Sequence, residues 1–69
     1  MPLSIVGIGE TRTISNVRGR DEQRRFLESL GFIDGAEVTV IAQMAGNLIV
    51  NIKESRVAID RSMANRIMV

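Results

Sequence analysis

The residues with the clearest capacity for chemistry in this sequence are arginines that cluster early in the chain. The cluster comprises Arg18, Arg20, Arg24 and Arg25. Guanidinium groups bind carboxylates through paired hydrogen bonds, so such a cluster could dock onto an acidic protein surface. Three acidic residues, Asp21, Glu22 and Glu28, lie among the arginines or close to them. Mixed charge of this kind is more typical of a solvated helix face, and the sequence favours that interpretation over docking.

Nucleic-acid binding by these arginines is disfavoured. The formal net charge of the chain is only +1, whereas dedicated nucleic-acid binders usually carry a strong basic excess. Single-strand binding also uses aromatic side chains as stacking platforms. The only aromatic residues here are Phe26 and Phe32, and both have predicted structural roles. An RNA-binding barrel is therefore the weakest alternative.

The side chains on which most enzymes rely are missing. The sequence has no His and no Cys, which removes the commonest general base and the commonest soft nucleophile. It also excludes a Cys/His zinc site. The isolated carboxylates are Glu10, Asp34, Glu37, Glu54 and Asp60. They lack the dense spacing of a calcium loop and are predicted to be solvated charges and turn caps. We therefore predict a protein that is not an enzyme and has no cofactor or resident metal.

The elements that must position these residues begin with a coil and a strand. The segment from Leu3 to Gly9 mixes apolar residues with glycine and is predicted to enter the fold as coil. The β-branched run from Thr11 to Val17 predicts a strand. Ile14 and Val17 are three residues apart, so on a regular strand their side chains would point to opposite faces. A bulge between them is needed to place both on the core face.

One helix is predicted from Asp21 to Leu30. Asp21 can cap the free N–H groups of the first turn. The apolar stripe at helical spacing comprises Phe26, Leu27 and Leu30, as expected for a helix that packs on a core. Gly31 fits the left-handed position that follows a helix, and Phe32 would then fold back on Leu27.

An Asp34-Gly35 turn precedes three strands with alternating apolar residues. The predicted core-facing sets are Val38, Val40, Ala42 and Met44, then Leu48, Val50 and Ile52, then Val57 and Ile59. Because side chains alternate between faces, the first two sets share a face only if an odd-numbered loop joins them. Ala45-Gly46-Asn47 supplies three residues, with positive φ at Gly46 or Asn47. The next loop must be even, either Glu54-Ser55 or residues 53–56.

A helical turn from Ser62 to Asn65 and a last strand from Arg66 to Val69 complete the predicted chain, with Ile67 and Val69 facing the core. The predicted fold is one domain, residues 1–69, of the all-β class with one short inserted helix. A chain of this length closes only one small core, and a barrel of about five strands removes exposed sheet edges. Since no secretory signal or membrane span is recognisable, we expect a cytoplasmic protein.

Two longer segments resemble a known family. LESLGFIDGAEVTVI, with its leucine-glycine helix end, and RVAIDRSMANRIMV, with Ala64, Ile67 and Val69 near the terminus, are similar to the FeoA family of ferrous iron transport proteins. Leu3, Gly9 and Ile14 fit its opening. The resemblance implies an SH3-like β-barrel and a small cytoplasmic accessory protein of a ferrous iron permease that carries a G-protein domain. MAGNLIV and KESRVAI depart from the family pattern.

The resemblance and the loops together predict a docking surface for that permease. Its residues are Arg24, Arg25, Glu28, Phe32, Met44, Gly46 and Asn47. Loops on a rigid barrel commonly carry recognition. Met44 and Met63 would add a soft surface if they were exposed together, although core packing is favoured for them. The alternative functions are a regulatory module of the iron-dependent repressor type and the RNA-binding barrel. Without Trp or Tyr, an aromatic groove for proline-rich peptides is excluded.

Overall fold

The computed structural model describes residues 1–69 and contains six short strands. They are β1 (Thr11–Thr13), β2 (Asn16–Val17), β3 (Glu37–Met44), β4 (Asn47–Ile52), β5 (Ser55–Asp60) and β6 (Ile67–Met68). An antiparallel sheet has the order β1-β3-β4-β5, and β2 pairs with β6 in a second sheet. The helices are α1 (Asp21–Ser29) and α2 (Arg61–Ala64), and a 3₁₀ helix spans Leu3–Ile5. The all-β class with one short inserted helix is confirmed, with one strand more than predicted.

Both sheets enclose a single apolar core. Of the apolar side chains predicted to be structural, those that are buried are Leu27, Val38, Val40, Val50, Ile52, Ile59 and Ile67. Leu30 and Val57 are partly buried and pack against that cluster. Each fully buried side chain of this size contributes about 1.5–3 kcal/mol relative to its exposed state.

The predicted strand from Thr11 to Val17 is two strands in different sheets. β1 pairs with β3, whereas β2 pairs with β6. Between them, Ile14 donates its N–H to the Ala36 carbonyl at 2.8 Å and accepts from the Gly35 N–H at 2.8 Å. Ile14 and Val17 are both buried, but a crossing between sheets, and not a bulge, places them there. The predicted coil before this strand contains the 3₁₀ helix, whose Leu3 is also buried.

Helix α1 begins at Asp21, but Asp21 is not its cap. The N-cap is Arg20, and no side chain bonds the free N–H groups there. The helix ends as predicted in a Schellman motif. Gly31 has φ 107°, its N–H donates to the Glu28 carbonyl at 3.0 Å, and the Phe32 N–H donates to the Leu27 carbonyl at 3.0 Å. The motif turns Phe32 into the core.

The β3–β4 hairpin has a two-residue loop instead of the three residues predicted. Met44 pairs with Asn47, which leaves Ala45 and Gly46 as the loop. Their φ angles are 50° and 84°, as in a type I′ turn. Asn47 itself belongs to β4.

A β-bulge supplies the residue that the loop lacks. The register between β3 and β4 shifts between Val40 and Ala42, so Ile41 is an extra residue on β3. Val40 therefore still faces the core opposite Val50, although the loop is even-numbered. Beyond the bulge the faces exchange, so Ala42 and Met44 lie on the outer face and not in the core, and Met44 is 64% exposed.

The β4–β5 turn is even-numbered, as predicted, but consists of Lys53 and Glu54, because Ile52 pairs with Ser55. Both predicted choices, Glu54-Ser55 and residues 53–56, misplaced it. Helix α2 starts at Arg61, one residue before the predicted turn. The Asp60 carboxylate caps it by accepting the Met63 N–H at 2.8 Å.

Candidate docking surface

Helix α1 presents a mixed-charge face in which the predicted contact residues Arg24, Arg25 and Glu28 are all exposed. Arg24 Nη2 lies 3.6 Å from Asp21 Oδ1, one turn earlier. An exposed pair of this kind contributes little to stability. Arg25 and Glu28 form no ion pair, so both charges are available to a partner.

Phe32 packs in the core, as its predicted contact with Leu27 requires, so its prediction as a docking residue is wrong, and Phe26 is the exposed ring. Phe32 is 0% exposed and cannot contact a partner, whereas Phe26 is 49% exposed. Phe26 precedes the fully buried Leu27, and successive helical residues lie about 100° apart around the axis. The stripe that buries Leu27 therefore turns Phe26 toward solvent. A helical wheel centred on Leu27 would have detected this.

The β3–β4 hairpin presents the remaining predicted contact residues, Met44, Gly46 and Asn47. All three are exposed, as is Ala45 between them. Met63 is only partly exposed and packs against the core. Met44 is therefore the soft, adaptable side chain at this tip.

The structure does not bring the helix and the hairpin together. The end of α1 lies against the far end of β4, where a Cβ on Gly31 would be 3.4 Å from Ile52 Cγ1 and 3.6 Å from Lys53 Cδ. The hairpin lies at the start of β4, at Asn47. Since a strand rises about 3.4 Å per residue, about 17 Å separates Asn47 from Ile52. We therefore distinguish a helix surface (Arg24, Arg25, Phe26, Glu28) from a hairpin surface (Met44, Ala45, Gly46, Asn47).

The outer face of the large sheet carries a polar row that was not predicted from the sequence. The register aligns Thr11, Thr39, Asn51 and Arg56 across its four strands. Thr11 Oγ1 and Thr39 Oγ1 are 2.8 Å apart, and Arg56 Nε donates to Asn51 Oδ1 at 3.3 Å. A shallow open depression of about 480 Å³ overlies part of this row. These groups bond one another and include no nucleophile beside a general base.

The carboxylates have local partners instead of a shared site. Glu10 accepts the Gly7 N–H at 3.0 Å and pairs with Arg12 at 2.6 Å. Asp60 caps α2. No group of three or more Asp or Glu residues is arranged to hold a metal ion. Neither helix has the length and apolar character needed to cross a membrane.

Comparison with known proteins decides which family has this architecture. The family model described as the FeoA domain matches residues 1–69. The chain belongs to the FeoA family. The family assignment that was predicted from the two longer segments is thereby confirmed. FeoA is not a known enzyme family. A search of curated proteins found no significant match to this FeoA chain.

Solved FeoA structures have the same fold. A crystal structure of an iron uptake regulatory protein, FeoA, is 29% identical with a TM-score of 0.89, covering 97% of this chain and 91% of that one. Zinc-complexed FeoA from Stenotrophomonas maltophilia, described as a prokaryotic SH3 domain protein, is 28% identical with a TM-score of 0.87, covering 99% and 87%. FeoA from Chlorobium tepidum is 26% identical with a TM-score of 0.90, covering 99% and 67%. The SH3-like fold is confirmed.

A manganese-dependent transcriptional repressor also contains this fold. It is 23% identical with a TM-score of 0.88, and the match covers 97% of this chain but only 39% of the repressor. At this identity the likeness concerns architecture alone, because one fold can host unrelated functions.

Proposed function

We propose that this FeoA protein is a cytoplasmic accessory factor of ferrous iron uptake that binds the cytoplasmic part of a ferrous iron permease with a G-protein domain. The observation that carries the proposal is the family match over residues 1–69. The Stenotrophomonas maltophilia relative has been suggested to be a ferrous iron transport activating factor. The chain would act as a single domain by docking, without catalysing a reaction.

The helix surface is the contact that we propose for the permease. Aromatic residues and Arg are enriched where interfaces gain most of their affinity, and α1 exposes half of Phe26 together with the unpaired Arg25. Covering that exposed half, about 100 Å² of ring, would contribute about 2.5 kcal/mol. Arg25 and Glu28 would orient the encounter by charge complementarity.

Docking would act on the permease by changing the balance between its states. A bound protein shifts a conformational or nucleotide-dependent equilibrium only by its difference in affinity for the two states. FeoA would therefore bind one nucleotide state of the G-protein domain more tightly than the other. The sign of that difference decides between activation and inhibition.

Calorimetric titration of the permease's isolated cytoplasmic domain with this FeoA tests the proposal. We expect Phe26→Ala to weaken binding by at least about tenfold, because the contact area of the ring is lost. Met44→Ala is the matched control, since it removes a similarly exposed apolar side chain from the hairpin surface. Loss of affinity in Met44→Ala alone would move the contact to the hairpin. No association at high micromolar concentration, in either nucleotide state, would refute direct docking.

Of the alternatives, a regulatory module of the repressor type has the support of a shared architecture only. RNA binding gains no support from the exposed aromatic, because single-strand binding needs several stacking platforms along a basic groove. Phe26 is the one aromatic ring with substantial exposure.

A further inference from the structure

The outer edge of β5 is unpaired. β5 is the last strand of its sheet and pairs only with β4. Ile52 and Ser55 flank the two-residue turn, so they form a hydrogen-bonded pair, and the pattern alternates from there. Arg56 and Ala58 therefore direct their N–H and C=O groups away from β4. No backbone hydrogen bond outside the sheets and helices involves either residue.

Incomplete burial beside this edge indicates that nothing in the chain covers it. Val40, Val50 and Val57 form one inward-facing row across β3, β4 and β5. Val40 and Val50 are 0% exposed, whereas Val57 is only partly buried. The difference follows from position, because Val57 has a neighbouring strand on one side only.

Two unpaired opposite charges flank the centre of this edge. Arg56 and Asp60 share the outer face of β5 with Ala58 between them, and all three are exposed. They lie about 13 Å apart along the strand and cannot reach each other. The ion pairs of the chain are formed by other residues. Arg56 uses only Nε, toward Asn51, and Asp60 uses only Oδ1, toward Met63, so each retains a free group.

We propose that β5 pairs antiparallel with β5 of a second copy of this chain, about a two-fold axis at Ala58. In this register Arg56 lies opposite Asp60 of the second copy, and Asp60 lies opposite the second Arg56. Two cross-strand ion pairs result. Val57 lies opposite the second Ile59, which covers its exposed part. The two sheets become continuous, and the small Ala58 side chain sits at the axis of an isologous interface.

The charges select this register over its neighbours. An axis at Arg56 places Arg56 against its own copy, and an axis at Asp60 does the same for Asp60. An axis at Val57 places Asp60 against Glu54. An axis at Ile59 leaves both charged residues of β5 without a charged partner. Like charges directly opposite one another destabilise strand pairing, so only the axis at Ala58 satisfies both charges.

The dimer should be weak, because the contact involves one short strand from each copy. Such an interface falls below the usual range of roughly 1,200–2,000 Å². We expect a dissociation constant on the order of 10⁻⁴ M. Sedimentation velocity and ¹⁵N NMR spectra should be recorded at protein concentrations between about 20 μM and 1 mM, a range that includes this dissociation constant. The amide signals of Arg56 and Ala58 should shift with protein concentration, and their amide hydrogens should exchange with solvent more slowly in the dimer.

A charge swap tests the register itself. Arg56→Asp alone places Asp against Asp60, and Asp60→Arg alone places Arg against Arg56, so each variant should be at least about tenfold weaker as a dimer. Mixing the two variants restores both opposite-charge pairs and should restore association. Ala58→Lys, at an exposed position, sets two like charges at the axis and should also give monomers.

Arg25→Asp is the matched control, since it makes the same charge change on the helix surface and should leave the dimer intact. Circular dichroism checks that every variant is folded, because Asp60→Arg also removes the cap of α2. A monomeric parent protein at 1 mM would overturn the proposal. So would a dimer that survives both Ala58→Lys and Arg56→Asp, or variants that do not associate when mixed although each is folded.

Discussion

The contrast between the two phenylalanines gives a quantitative test of the structure. Phe32 is fully buried, and truncation of such a ring to Ala costs about 3–5 kcal/mol. A chain of 69 residues has a total stability of roughly 3–10 kcal/mol. Phe32→Ala should therefore lose a large part of the free energy of unfolding. Phe26→Ala, at a half-exposed position, should lose only about 1 kcal/mol or less.

The assay is urea unfolding followed by far-ultraviolet circular dichroism, because the chain has no Trp or Tyr for fluorescence. Domains of this size have urea slopes of about 1 kcal/mol per molar. The midpoint should fall by about 1 M or less for Phe26→Ala, and by about 3 M or more, or to an unfolded chain, for Phe32→Ala. Phe32→Leu keeps most of the apolar volume and should remain folded, with an intermediate midpoint.

The test compares the losses in unfolding free energy caused by Phe26→Ala and by Phe32→Ala. If Phe26→Ala destabilises the protein as much as Phe32→Ala, the Schellman motif does not place Phe32 in the core and Phe26 does not lie on the solvent side of α1. A Phe32→Leu variant as stable as the parent would equally contradict tight packing around that ring.

Three further substitutions test the local geometry, each by the urea midpoint. Ala45→Asn should stabilise the protein by about 0.5–1 kcal/mol, since Asn tolerates the positive φ of a type I′ turn better than Ala; a loss would contradict that turn. Gly31→Ala should cost about 1–3 kcal/mol, because a side chain is strained at φ 107°; an unchanged midpoint would contradict the Schellman geometry. Asp60→Ala should cost about 1 kcal/mol through the lost cap, and Asp60→Asn should retain most of it; equal losses would point to charge instead of capping.

Features fixed by local chemistry were predictable from the sequence. The end of α1 follows from Gly31 and the apolar residue after it, because only a few conformations satisfy the last carbonyls of a helix. The alternation of Leu48, Val50 and Ile52 predicted β4 and its buried face. Each of these inferences depends only on residues that lie close together in the sequence.

Features that depend on distant parts of the chain were not predictable. The parity rule correctly required one additional residue between β3 and β4, but it could not distinguish a longer loop from a bulge at Ile41. The crossing at Ile14 depends on backbone partners at Gly35 and Ala36, which are remote in sequence. Both errors therefore arise from tertiary pairing overriding a local pattern.

The predicted docking residues illustrate the same limit. Arg25 and Met44 are exposed, as loop and helix residues commonly are, but their separation by the length of β4 is a property of the sheet register. Exposure of Phe26 followed from the helix period once Leu27 was known to be the buried residue. The Schellman motif predicted after Gly31 already placed Phe32 against Leu27, so its second assignment as a docking residue conflicted with the local sequence.

The bulge at Ile41 lets β3 change length by one residue without exchanging its faces. Val40 pairs with Val50 on one side of the bulge and Ala42 pairs with Ile49 on the other, so deletion of Ile41 would join two stretches that are already in register. Val40 would stay in the core, Met44 would stay on the outer face, and the Ala45-Gly46 turn would keep its two residues. Loss of one residue from a regular strand would instead turn every following side chain to the opposite face.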